Sequence, residues 1–170
     1  MIVRDATQGD LPRIRDLYNA LVGSTTGAWT ETPETLQERE RWFAGQQHAH
    51  FPVLVAEHQG DVVGYAAYGS FRGEGRWPGY RYTVEHSVHV DESMWGRGVG
   101  RALVDELVER AIASSIHVMV AAVDGANEAS IAFHQRLGFE IVGRMPETGI
   151  KFGRWLDLVL MQRILGEDPH

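Results

Sequence analysis

The segment Gly96-Arg97-Gly98-Val99-Gly100 constrains this chain more than any other. A β-branched run, Val88 to Val90, leads into it, and a strongly periodic helix opens behind it. Glycines at alternate positions let successive backbone N–H groups turn toward one point, because no Cβ blocks a close approach. A helix N-terminus at the same place adds aligned dipoles and unsatisfied donors, which favour a phosphate. Arg97 and Arg101 add fixed positive charge. The segment therefore reads as a pyrophosphate cradle between a strand and a helix; a glycine-rich turn without a ligand is the plainer alternative.

Two common phosphate loops do not fit these letters. A dinucleotide fingerprint, Gly-x-Gly-x-x-Gly, would need its third glycine at Arg101 or at Leu103. A Walker loop needs Lys then Ser or Thr after its second glycine, and no Lys follows any of these glycines. The segment instead resembles the acyl-CoA loop of the GNAT superfamily of N-acetyltransferases, Gln/Arg-x-x-Gly-x-Gly/Ala. Gly98 and Gly100 match its two small positions, with Trp95 at the Gln/Arg position. A frame shifted by two, Arg97-x-x-Gly100-x-Ala102, satisfies every letter, so two registers are open.

The rest of the chain reads as a single α/β domain over residues 1–170. Expected strands cover 2–6, 52–57, 62–68, 83–90, 118–123, 140–144 and 155–164. Expected helices follow Asp10 (with Leu11, Ile14, Leu17 and Tyr18 on one stripe), restart at Thr32-Pro33-Glu34, and cover 99–113 and 127–137. Gln59-Gly60-Asp61 reads as a hairpin turn, and 70–80 as a loop holding Arg72, Arg76 and Trp77. Trp29, in the loop between the first two helices, reads either as a pocket lid or as a plug at the core edge. A chain of 170 residues, 44% hydrophobic and 23% charged, can bury a real core. Its formal charge of -7 argues against general nucleic-acid binding. It has no cysteine, which excludes disulfides, thiolate metal sites and a Cys nucleophile. No apolar run approaches the roughly 20 residues of a membrane span, and no signal segment opens the chain, so a cytoplasmic location is expected. His48 with His50 and His86 with His89 are the close histidine pairs; no acidic cluster completes either, so no metal site is expected.

A second motif lies at Asn127-x-x-Ser130, then Phe133-His134, then Gly138-Phe139. GNAT enzymes often show Asn-x-x-Ala/Ser, Leu/Phe-Tyr and Gly-Phe at this spacing. The resemblance implies that Asn127 and Ser130 meet the pantetheine arm. It also implies that His134, at the usual tyrosine position, protonates the departing thiolate. An imidazolium can do so; capping the last carbonyls of its helix is the alternative. Thr25-Thr26-Gly-Ala-Trp29, Tyr82 to Val88, His117 to Ala122 and Lys151 to Asp157 resemble the phosphinothricin / methionine sulfone acetyltransferase group. That likeness implies a GNAT fold, with a mixed, mostly antiparallel sheet of about seven strands and about four helices. It further implies acetyl-CoA as cosubstrate, a homodimer, and acetylation of the α-amine of a small amino acid with a tetrahedral, oxygen-rich side chain.

Attack by an α-amine requires a proton acceptor, direct or through water. Glu85 is the candidate, with His86 in reserve. On an extended strand Glu85, Ser87 and His89 share one face, and His86, Val88 and Val90 the other. A partly apolar cleft would raise the carboxylate pKa and make it a better base; a structural ion pair with Arg81 is the alternative. The backbone from Val88 through His89 to Val90 is expected to pair with the pantetheine amides as an added strand would, and an N–H near Val88 to polarise the thioester carbonyl. The N–H groups from Gly96 to Arg101 would meet the pyrophosphate. Substrate oxygens favour planar forked donors, hence Arg72, Arg76 and Arg81; Trp29, Trp77 and Tyr80, beside Glu85, His86 and Ser87, would close around the substrate. Competing functions are acetylation of a protein N-terminus or a polyamine, and non-catalytic acyl-CoA binding.

Overall fold

The computed structural model describes residues 1–73 and 75–166. Its strands are β1 (Ile2–Asp5), β2 (Val53–His58), β3 (Asp61–Ser70), β4 (Thr83–Val90), β5 (Val118–Asp124), β6 (Glu140–Lys151) and β7 (Arg154–Ile164). They form one seven-stranded sheet in the order β1-β2-β3-β4-β5-β7-β6. Neighbours run antiparallel except β4 and β5, which are parallel. Among the described residues four α-helices flank it: α1 (Leu11–Ser24), α2 (Leu36–His48), α3 (Val99–Ala113) and α4 (Glu128–Arg136). This is the mixed, mostly antiparallel sheet and helix count expected from the sequence.

Side-chain alternation decides what covers each face. Val53, Val55, Tyr65 and Ala67 pack with Leu11, Ile14 and Leu17 of α1 and Phe43 of α2. Leu54, Ala56, Ala66, Tyr68 and Val84 point the other way, onto Leu103, Val104, Leu107 and Ala111 of α3. The spacing of those α3 residues is the apolar stripe of an amphipathic helix. Leu103 and Leu107 are fully buried, so either one truncated to Ala loses about 2–5 kcal/mol. A register shift at Ala56/Glu57 admits one extra β3 residue and inverts the alternation, so Val63 joins Ala66 and Tyr68 on the α3 side and Val62 joins Tyr65 and Ala67 on the other.

Three local expectations change. The second helix starts at Leu36, not at Thr32, because Thr35 and Glu38 form a reciprocal capping box. Asp10 does not cap α1 with its side chain; its carboxylate instead accepts from Thr7 and, bidentately, from Arg4 at 2.9 and 3.0 Å. That Arg4 pairing holds the Asp10 carboxyl down at about 2. The sixth strand runs on to Lys151, well past Arg144, because bulges at 141/143 and 145/149 absorb the residues that break its period. It turns into β7 through Phe152 and Gly153, both at positive φ (51° and 70°), as a two-residue hairpin of the primed type requires.

Candidate active site

The site arises where the sheet splits. β4 and β5 pair only through Thr83–Val118, Val84–Met119 and Glu85–Val120. Beyond Glu85, β4 stays paired with β3 up to Val90 while β5 runs on to Asp124 beside β7. One edge of β4 from His86 to Val90 therefore has no strand partner. The gap widens into a cleft of about 1180 Å³, at the upper end of small-molecule sites.

The first turn of α3 forms one end of this cleft. Gly98 takes φ +82° at the helix N-cap, a left-handed conformation that favours glycine. Gly100 lets α4 approach closely, since a Cβ there would sit 3.2 Å from the Phe133 ring, a tight contact. Helix geometry leaves the N–H groups of Val99, Gly100 and Arg101 without intrahelical acceptors, and all three residues line the cleft with Gly96 and Gly98. The frame with Gly98 and Gly100 at the small positions is thus the one whose glycines do the conformational work. Arg97 is exposed and lies outside the cleft lining. Trp95 is 57% exposed, lines the cleft, and donates from Nε1 to the Val90 carbonyl at 2.9 Å. That bond occupies an acceptor expected to serve the pantetheine.

At the opposite wall, Asn127 accepts from the Ser130 N–H at 3.0 Å as the N-cap of α4, and both residues face the cleft. His134 is buried, with Nδ1 2.8 Å from the Ser130 carbonyl oxygen. A carbonyl only accepts, so Nδ1 carries the proton and Nε2 is the free lone pair. Burial lowers the His134 pKa, partly opposed by that carbonyl. His134 is therefore neutral at rest and must take up a proton at Nε2 before it can act as an acid. The bond goes to a carbonyl near the start of α4, so His134 does not cap the last carbonyls of its helix.

His86 packs 5.2 Å from the His134 ring and 5.3 Å from Phe139. Among the described residues neither of its buried ring nitrogens has a hydrogen-bond partner, and burial pushes its pKa down to about 3. His89 points to the other face, near Tyr18 and Tyr65. Burial, aided by the Arg39 charge, takes it to about 4. The two histidines therefore share no metal-binding geometry. Glu85 is open to cleft water yet surrounded by the walls, and that partial desolvation raises its carboxyl above the usual 4.5. Among the described residues it forms no ion pair with Arg81, which donates instead to the Pro78 carbonyl.

The three loop arginines do not gather in the cleft. Arg72 lines a second, polar cavity of about 410 Å³ that shares Glu85, His86 and Ser87 with the main cleft. It donates to the Tyr80 hydroxyl at 3.1 Å. Arg76 and Arg81 lie outside both cavities, stacked on their sequence neighbours Trp77 and Tyr82. Trp77 is exposed, and neither it nor Tyr80 lines either cavity. Trp29 does line the main cleft, where its ring lies so close over Gly149 that any Cβ there would collide with it.

The cleft also holds side chains that sequence reasoning passed over. Arg39 of α2 is 4% exposed, paired with Glu34 at 2.5 Å, and lies over the rings of Tyr18, Trp42 and Tyr65. A charge on the inward stripe between Leu36 and Phe43 was its available signal. Asp124 accepts from the Thr26 hydroxyl and the Ala126 N–H; its place at the open end of β5 was the corresponding hint.

Residues 14–139 match the model of the acetyltransferase (GNAT) family. The chain belongs to that family. This acetyltransferase is 51% identical to an L-methionine sulfoximine/L-methionine sulfone acetyltransferase of Pseudomonas paraeruginosa, over 98% of this chain and 95% of the relative. It superposes with a TM-score of 0.91 on a phosphinothricin acetyltransferase from Sinorhizobium meliloti in complex with acetyl-CoA, 39% identical over 97% of this chain and 88% of that one. It also superposes with a TM-score of 0.93 on a ribosomal-protein-alanine N-acetyltransferase from Brucella melitensis, 45% identical over 97% of this chain and all of that one.

Proposed function

We propose that this enzyme moves the acetyl group of acetyl-CoA to the α-amine of a small amino acid with a tetrahedral side-chain group, of the methionine sulfone, methionine sulfoximine or phosphinothricin kind. One observation carries the reading: the split between β4 and β5 puts the N-terminus of α3 and the Glu85 carboxylate in one cleft. The names of the Pseudomonas and Sinorhizobium relatives support the acceptor class. The pyrophosphate lies against Gly96 to Arg101 and the pantetheine along the open edge of β4, with Asn127 and Ser130 across from it.

Transfer proceeds by direct attack in a ternary complex. Glu85 accepts a proton from the α-ammonium, directly or through water, and the freed nitrogen attacks the thioester carbonyl carbon. A backbone N–H near Val88 steadies the oxyanion. The tetrahedral intermediate then collapses with cleavage of the C–S bond; the nitrogen sheds its second proton to cleft water, from which His134 takes one at Nε2, and His134 passes that proton to the thiolate. The acceptor enters over the cavity that reaches Arg72, whose guanidinium takes its oxygens, while Trp29, His86 and Ser87 shape the pocket. Arg76 and Arg81 are left for a second subunit. The whole chain acts as one cytoplasmic domain and as a homodimer; the dimer is supported by Ile150 and Trp155, which pair across β6 and β7 and are both exposed.

A thiol-release assay with acetyl-CoA and a panel of acceptors tests this. Turnover is expected with methionine sulfone, methionine sulfoximine and phosphinothricin, and not with methionine or spermidine. The Brucella relative's name favours a second reading, a protein N-terminus as acceptor; turnover confined to an N-terminal alanine peptide would establish it instead. Acetyl-CoA binding without turnover on any amine would leave only a binding module.

A further inference from the structure

We propose that Trp95 is a cofactor-binding residue whose indole face forms a wall for the pantetheine arm between the phosphate cradle and β4. The inference rests on the acetyl-CoA reading above and concerns a position where this chain departs from the Gln/Arg of the loop motif. Three tryptophans are more than half exposed, Trp77 at 53%, Trp95 at 57% and Trp155 at 64%, and of these Trp95 is the one that lines the cleft. The ring is not loose, however. Its Nε1–H is held by the Val90 carbonyl at 2.9 Å, and its backbone closes the 3-10 turn Glu92–Met94 through a bond to the Glu92 carbonyl. Asp91 caps that turn at the Ser93 N–H and is itself held by Arg13 at 2.6 Å. The indole is thus preorganised at the cleft wall, and little rotamer entropy remains to be lost when a ligand packs on it.

Its place in the chain says which part of the ligand it meets. Trp95 bonds back to Val90, the last residue of the unpaired β4 edge, and directly precedes Gly96 of the cradle. The ligand segment that spans this boundary joins the first pantetheine amide to the pyrophosphate and carries a gem-dimethyl group. Its two methyl groups are apolar, so a ring face suits them better than an amide or guanidinium side chain does, while the neighbouring hydroxyl stays free to meet water. The Val90 carbonyl keeps a second lone pair, so apolar contact with the indole adds to strand-like pairing at this end.

Calorimetry and intrinsic fluorescence with CoA, on wild type, Trp95→Ala, Trp95→Phe and Trp95→Gln, test this. The expected result is a Kd for CoA raised about tenfold in the Ala and Gln variants and much less in Phe, since the ring face is retained. The amino-acid KM stays unchanged, and the CoA-induced emission change of the wild type shrinks in Trp95→Phe. The exposed position leaves folding intact, which circular dichroism checks. Wild-type affinity in Trp95→Ala overturns the inference while leaving the acetyl-CoA reading standing. Absence of CoA binding by the wild type overturns both.

Discussion

The Lys151 ammonium lies 2.5 Å from the Thr25 carbonyl oxygen and 2.7 Å from that of Ala28. Lys151 is 1% exposed, at the very end of β6, and so ties the loop carrying Trp29 to the β6–β7 hairpin from beneath. Thr26 is tied to Asp124 of β5 on the same loop. A cation and an anion from two strands therefore fix the loop that carries Trp29 to the cleft wall. Burial lowers the Lys151 pKa, and distant Glu31 only partly offsets this.

Lys151→Met removes both donors and strands two carbonyls. We expect a loss of about 1–3 kcal/mol in urea-unfolding free energy and a raised KM for the amino acid with an unchanged Kd for CoA. An unaltered amino-acid KM would show that the loop does not shape the acceptor pocket.

As the proposed base, Glu85 must be ionised to act. Its raised pKa moves the acid limb of kcat/KM above the ordinary 4.5, so activity is lost as pH falls through that limb. Glu85→Gln should lower turnover by about 10²–10⁴-fold with CoA affinity kept. Full activity in this variant would remove Glu85 from the mechanism.

His86 has its folded pKa near 3, against 6.5 for the free side chain, because burial disfavours the charged ring. The unfolded chain binds the extra proton below pH 6.5 and the folded chain does not. Stability is therefore full above about 6.5 and declines as pH falls toward 3, by up to about 1.4 kcal/mol per pH unit for this group. His86→Phe, which also removes two unpaired buried nitrogens, should flatten that decline in urea titrations at pH 4 to 7. An equal slope in the variant would assign the acid sensitivity to His89 and His134.

Much of this architecture is local information. Alternating apolar residues at Val53 to Ala56 and Tyr65 to Tyr68 suffice to mark strands with two covered faces, and Leu103, Leu107 and Ala111 mark a helix with one. Gly98 and Gly100 announce a strand-to-helix cradle because a positive φ and a close ring approach are demands on single residues. The succession of strands and helices along the chain and the family motifs were legible for the same reason: each depends on neighbours in the chain.

Only the tertiary structure decided what meets across long separations. Nothing near Lys151 foretells that a carbonyl 126 residues away accepts its proton, nor that Trp95 would bond back to Val90. The three loop arginines look alike in sequence, yet one reaches a cavity shared with Glu85 and two stack on their own neighbours. His134 stands at a position that suggests an acid, but the Ser130 carbonyl and burial leave it neutral with its proton on Nδ1. The physical reason is common to all of these. Backbone conformation follows from short-range sterics, whereas charge pairing, burial and protonation depend on which distant surfaces packing brings together.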